Sequence, residues 1–370
     1  TTGIAPMTYA PALRALLALL LALPTACSTA ATPTVAPAID PVAENMLLLQ
    51  TASGGWSKHH LGRKVDYTLA LGDAEQAALR AADRRDDATL DNKATTSEIA
   101  YLARAHRKTG NPAYLAAAGR GVEYLLQAQY SNGGWPQYYP DRSSYRHQIT
   151  LNDDAMVRAI GLLQDIAEGR DDLATLTPQY GARAAAAVQR GIDSLLALQV
   201  RIDGVPTIWA AQYDENTLQP ATARAYELPA MAVSESVGVL RLLMRQPEPD
   251  VRLVAAVDAA TAWLDAHRLH DLATERFDAR DEESGQDVRV VARPGASLWA
   301  RFYDLESQQP MFVNREGQRV VFSELPNERR AGYDWYGTWP EKLLLQEIPR
   351  WRKIHASGPA RAVPAECVTP

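Results

Sequence analysis

Apolar residues recur along most of the chain at the three-to-four-residue spacing of helices that bury one face. After Asn111-Pro112, an N-cap followed by a proline suited to the first helical position, Leu115, Ala118, Val122 and Leu125 stripe a helix that runs to Tyr130. Met156, Ile160, Leu163 and Ile166 stripe a second, which Gly169 ends, and Thr177-Pro178 opens a third. Further helices are predicted over 41–50, 74–83, 95–107, 229–244, 250–267 and 340–352. Strand-like alternation is confined to short pieces such as 287–292 and 318–323. The pattern predicts a mostly all-α fold with short irregular β-strands.

A weak repeat runs through the helices. Gln50 leads to Gly54-Gly55-Trp56, Gln129 to Gly133-Gly134-Trp135, and Gln199 to Gly204 and Trp209. The copies lie about two helices apart, as paired helices wound around a centre would be. On that reading the turns share one end of an α/α toroid and line a cleft with aromatics, Trp56 and Trp135 among them. On the simpler reading the glycines are C-caps and the tryptophans are core.

The N-terminus reads as an export signal. Arg14 precedes an apolar run from Ala15 to Leu23 that is too short to span a bilayer. Cleavage after Ala30 and lipidation of Cys27 both fit, so the expected product is secreted or periplasmic, or anchored through Cys27. Residues 1–30 are then the signal, 31–40 a flexible linker, 41–352 the catalytic domain and 353–370 a tail. The chain has 370 residues, 46% of them hydrophobic, enough for a sizeable core. Its net charge of −6 argues against a nucleic-acid partner. The two cysteines, Cys27 and Cys367, leave the body of the chain without thiols, so a bound metal must sit on oxygen or imidazole.

Two polar motifs stand just before predicted helices: Asp91-Asn92-Lys93-Ala94-Thr95-Thr96 and Thr150-Leu151-Asn152-Asp153-Asp154-Ala155-Met156. Helix capping is the commoner role for each alone. Brought to one rim, the two would make an all-oxygen site for a hard cation such as calcium. A third constellation is cationic. Arg224 and Arg315 lie in loops, and in Asn327–Gly337 the pair Arg329-Arg330 neighbours Tyr333, Trp335 and Tyr336. Arginine beside aromatics suits an anionic ring, and the expected ligand is an acidic polysaccharide.

Seven motifs occur in order: Gly54-Gly55-Trp56-Ser57-Lys58, Asp91–Thr95, Asn132–Gln137, His147–Asp153, Arg224–Pro229, Arg301–Leu305 and Glu328–Tyr333. Over about residues 40–352 the sequence closely resembles the polysaccharide lyase family 10 pectate lyases. The resemblance implies an (α/α)3 toroid and calcium-dependent β-elimination of polygalacturonate; the protein is expected to be a monomer. By position it makes Asp153 a calcium ligand and Asp91 an acid at the calcium–substrate site. It makes Arg224 and Arg315 carboxylate clamps, and Arg329 or Arg330 the base, with Arg329 favoured. Lys58, Trp56, Trp135 and Tyr333 are the further substrate contacts expected. Where Asn-Asp-Asn is expected this chain has Asn152-Asp153-Asp154, which leaves Asp154 either an added ligand or outward-facing. The charged stretch 278–293 reads as a surface insertion without a role. Two other classes stay open: a glycoside hydrolase using Asp91 and Asp153 as acid and base, and a non-catalytic surface lipoprotein that captures acidic glycans.

Overall fold

Side-chain caps and N-terminal prolines start three of the main helices. Asp40 accepts from the amides of Val42 and Ala43 (3.0 and 3.1 Å) to open α1 (Pro41–Leu49), ahead of α2 (Asp73–Ala81) and α3 (Thr96–Thr109). Asn111 caps α4 (Pro112–Ala128) through the Ala113 amide at 3.0 Å, with Pro112 at the first helical position. Then come α5 (Ala155–Ala167), α6 (Thr177–Leu198), α7 (Val233–Met244) and α8 (Val251–Ala266), the last capped by Asp250. The computed structural model describes Thr1 and residues 38–81 and 86–355. The expected export signal, Cys27, Ala30, most of the linker, Cys367 and most of the tail lie outside the described residues. Among the described residues no helix is long and apolar enough to cross a membrane.

The helices pack as antiparallel pairs, α3 on α4, α5 on α6 and α7 on α8. Neighbouring pairs stack so that α1, α3, α5 and α7 touch in succession on one side, and α4, α6 and α8 on the other. One continuous apolar core runs through the pairs.

The expected all-α (α/α)3 toroid is corrected. The row of helices does not close into a ring, and the described residues are 48% helix and 18% strand. The departure begins after α8, where two long antiparallel strands, Leu269–Asp278 and Gln286–Ala300, form a hairpin. Only short helices follow: α9 (Asn327–Gly332), α10 (Trp339–Lys342) and, after a π turn, α11 (Ile348–His355). The alternation at 287–292 falls inside the second of these strands; the rest of the hairpin was hard to read because it carries charge on both faces, where Glu275 and Arg289 pair across it and Asp287 reaches away to Arg330. Without a one-sided apolar alternation, a strand gives no period-two signal.

The Gln–Gly–Trp repeat is structural. Gln50 donates to Gly54 O (2.7 Å) and to Ala117 O of α4 (2.9 Å); Gln129 donates to Gly133 O (3.1 Å) and to Ala187 O of α6 (2.9 Å). Gln199 does the same with Thr207 O and with Ala256 O of α8, at 2.8 and 3.0 Å. Each glutamine thus ties its turn to the next outer helix. The backbone comes so close there that a Cβ on Gly54 would lie 2.5 Å from Arg120 O, and one on Gly133 2.1 Å from Arg190 O. Both residues have positive φ, 94° and 89°, so glycine is needed on two counts.

Candidate active site

The inner helices α3, α5 and α7 begin at one rim, and short two-residue ladders hold the chain there. Ile149-Thr150 pairs with Gln212-Tyr213, and Met231-Ala232 with Phe302-Tyr303. The two acidic motifs adopt one backbone form. Leu90 and Leu151 share φ −98°, and Asn92 and Asp153 both turn left-handed at φ 52°. Asparagine and aspartate tolerate that conformation better than most side chains. Neither α3 nor α5 receives a side-chain capping bond, so the carboxylates are not spent on capping.

They meet each other instead. Asp153 lines one compartment with Asp91, which is 4% exposed, and burial followed by the Asp91 charge pushes the Asp153 carboxyl above the usual carboxylate range. Lys58 forms an ion pair with Asp91. Burial works against the Lys58 ammonium, but its bond to Asp91, the Asp91 charge and Tyr138 together outweigh it and raise its pKa. The three line a compartment of about 130 Å³ together with Asn152, Gln212 and Arg224. Lys58, Asp91, Asp153 and Arg224 are therefore brought together as expected.

Asp154 is not part of this compartment. It turns onto Gly238 of α7 and toward Arg158 of its own helix at 3.4 Å. A Cβ at Gly238 would lie 2.2 Å from its Oδ1, so only glycine makes room for it. The reading of Asp154 as a ligand beside Asp91 and Asp153 is corrected.

A second compartment of about 230 Å³ adjoins the first and shares Asn152, Gln212, Arg224 and Glu227 with it. Its wall is a stack of guanidinium groups on aromatic rings. Arg224, Arg315 and Arg329 all pack on Tyr226, 5.1, 5.0 and 4.9 Å from the ring centre. Arg224 is held by Glu227, which keeps its guanidinium above the ordinary arginine range, and Arg315 is held by both oxygens of Glu328 at 2.8 and 2.9 Å. Arg329 differs. It is 6% exposed, sits among Tyr226, Tyr333 and Trp335, and has no carboxylate within ion-pair distance among the described residues. Burial, then the neighbouring Arg315, lowers its pKa.

Arg330, paired with Arg329 as a candidate base, is turned out of the cleft. Its Nε and Nη2 bond both oxygens of Asp287 at 2.7 Å, which raises its pKa. Consecutive residues on the one-and-a-half turns of α9 project about 100° apart, so both arginines cannot face the same compartment.

Trp56 and Trp135 are a second correction. Both are fully buried, and their indole N–H groups donate to Met46 O and Leu125 O at 2.8 Å. Neither offers a face to a sugar. We expect Trp135→Phe to lower the melting temperature, on the scale of about 1–3 kcal/mol for a lost buried hydrogen bond and some volume, with KM unchanged. A rise in KM at unchanged stability, measured by thermal denaturation beside steady-state kinetics, would restore the sugar-stacking role. Tyr333, by contrast, does line the arginine compartment, half-buried.

Four site residues escaped the sequence reading. Tyr226 and Glu227 sit in the Arg224 motif, and Arg301 opens another, but nothing in the sequence shows what they face. Arg301 forms an ion pair with the buried Glu235 at the start of α7, lies 4.9 Å from the Tyr333 ring centre and acts electrostatically on Asp153. Glu235 stands in the first turn of α7, in no motif that the sequence singles out.

Comparisons with known proteins place the chain in a family. The pectic acid lyase family matches residues 50–344. A family 10 polysaccharide lyase from Cellvibrio cellulosa is similar in structure, with a TM-score of 0.72 and 31% sequence identity over 84% of this chain and 92% of that chain. A mutant of a family 10 polysaccharide lyase from the same organism, in complex with trigalacturonic acid, gives a TM-score of 0.71 at 31% identity, covering 82% of this chain and 90% of that one. No curated protein matches. With most of its length matched by the family, this chain belongs to the pectic acid lyases.

Proposed function

We propose that this pectic acid lyase cleaves polygalacturonate by β-elimination, with calcium held at Asp91 and Asp153 and an arginine of the cleft as base. The observation that carries the reading is the pair of like-charged carboxylates at one end of a cleft whose other end is arginine on aromatic rings. Each end alone has ordinary explanations. Together they suit an anionic sugar chain whose carboxylates need counter-charge along its length. The similar lyase bound to trigalacturonic acid points to the same substrate class.

The residues fit a hard cation. Asp91 and Asp153 line one compartment in which Lys58 pairs with Asp91 and Arg224 with Glu227, and the side-chain amides of Asn152 and Gln212 line the same space. No group of three His, Cys, Asp or Glu residues suited to a metal exists among the described residues; two carboxylates would fill only part of a calcium shell, and the rest would have to come from amide oxygens, water or a substrate carboxylate. When bound there, calcium would withdraw charge from that carboxylate and make the adjacent C5 proton easier to remove.

Geometry comes before pKa in choosing the base. The proton sits on the carbon next to the carboxylate, so the base belongs in the acidic compartment. Arg224 lines that compartment and Arg329 lines only the neighbouring one. We therefore assign proton removal to Arg224 and carboxylate binding to Arg329 and Arg315, reversing the roles that the family resemblance suggested. The depressed pKa of Arg329 favours it electrostatically, but a base that cannot reach the proton gains nothing from being neutral. Glu227 holds Arg224 protonated, so the neutral fraction grows only as pH rises, and activity should climb through the alkaline range. A flat pH–rate profile from neutral to strongly alkaline pH would exclude an arginine base.

Substrate choice gives a direct test. Methyl esters remove the charge that the arginines and the cation grip, so heavily esterified pectin should be cut at least about tenfold more slowly than polygalacturonate. Equal rates on the two substrates would remove the carboxylate argument.

A further inference from the structure

The long hairpin contributes no side chain to the cleft, yet four of its groups converge on the six residues of α9. Asp287 grips Arg330 with both carboxylate oxygens at 2.7 Å. Asn327 at the start of α9 donates to Gln286 O at 2.8 Å and accepts from the Ser284 amide at 3.1 Å. Arg276, on the opposite strand, donates to Ala331 O at 2.9 Å near the end of α9. A helix this short is not stable by itself; its orientation is imposed from outside. Arg329 lies between the braced residues and projects the other way, into the arginine compartment, where no carboxylate among the described residues pairs with it.

We propose that Asp287, acting through Arg330, is a positioning residue for substrate binding: the hairpin fixes α9 and thereby the place of the Arg329 guanidinium. This rests on the reading of Arg329 as a substrate-binding residue. It gives the charged stretch 278–293 a role, although no residue of that stretch lines the cleft. The bidentate Asp287–Arg330 pair is the part best suited to the task, because a fork on a carboxylate fixes direction as well as distance. Both partners are mostly buried, so the pair is poorly screened, and loosening it should be felt at the neighbouring residue.

The test is a double-mutant cycle on polygalacturonate, with kcat and KM measured separately. Asp287→Asn keeps the shape of the side chain but weakens its hold on Arg330. We expect kcat/KM to fall between about 10- and 100-fold, the scale of a misplaced binding group, with most of the loss in KM. Arg329→Ala should lose at least as much, and Asp287→Asn should cost nothing further in the Arg329→Ala background. Melting curves establish that each variant is folded at the assay temperature. Should Asp287→Asn not fold, Arg330→Lys takes its place in the cycle, since it keeps the charge and loses the fork. If the two losses multiply, or if Asp287→Asn behaves as wild type while Arg329→Ala is impaired, the hairpin does not act through Arg329 and the proposal fails alone. A wild-type Arg329→Ala enzyme would instead sink the substrate-binding role of Arg329, and the proposal with it.

Discussion

Asp153→Ala is expected to lose activity by about 100-fold or more at saturating polygalacturonate, while the protein stays folded. The magnitude follows from the site: without Asp153 the acidic compartment keeps Asp91 and Glu227, each already paired with a cation, Lys58 and Arg224, and so has little pull on a divalent cation. Folding should respond in the opposite sense. Burial and the Asp91 charge both oppose ionisation of Asp153, so without calcium the substitution removes a repulsion and should leave the melting temperature unchanged or higher. With calcium, the wild type should gain thermal stability by mass action and Asp153→Ala should not. Thermal melts with and without calcium check this independently of turnover. A variant that keeps both full activity and the calcium-induced shift would remove Asp153 from the cation site.

The second large effect concerns the base. Lysine keeps the charge and much of the reach of arginine but not its planar fork or its protonation behaviour. Arg224→Lys should lower kcat by about 100-fold or more, within the range for losing a general base, and change KM much less. Arg329→Lys and Arg315→Lys should do the reverse. Each loses directional grip on a carboxylate, which is felt mainly in KM, while the Arg224 guanidine and the acidic pair are untouched. Steady-state kinetics of the three variants on one substrate decide the matter. If Arg329→Lys collapses kcat and Arg224→Lys mainly raises KM, the roles return to those implied by the family resemblance.

What the sequence conveyed and what it did not divide along physical lines. The start of α4 was legible because Asn111-Pro112 acts locally, through a bond to the amide two residues away; Asp40 and Asp250 cap α1 and α8 in the same local way. The shared rim of Asp91 and Asp153 was legible as a repeated motif, and the structure adds that the two motifs share one left-handed backbone turn. The fate of Trp56 and Trp135 was not legible. A tryptophan after a glycine turn serves a core or a cleft equally well, and only burial decides. Arg329 and Arg330 were inseparable for a similar reason. Their difference lies in Asp287, which stands on a strand 43 positions away in sequence. Of the hairpin only the alternation at 287–292 was legible; at Glu275 and Arg289 the cross-strand pair is charged, and an ion pair stabilises a strand without leaving the apolar alternation by which strands are recognised.

The central claim is that the acidic and arginine compartments act together as a calcium-dependent eliminase. Its most direct test is incubation of the purified protein with polygalacturonate while following the ultraviolet absorbance of unsaturated uronides, first with calcium and then with excess chelator. We expect steady growth of absorbance with calcium, silence in chelator, and recovery when calcium is restored. New reducing ends without that absorbance, or an equal rate in chelator, would contradict the account.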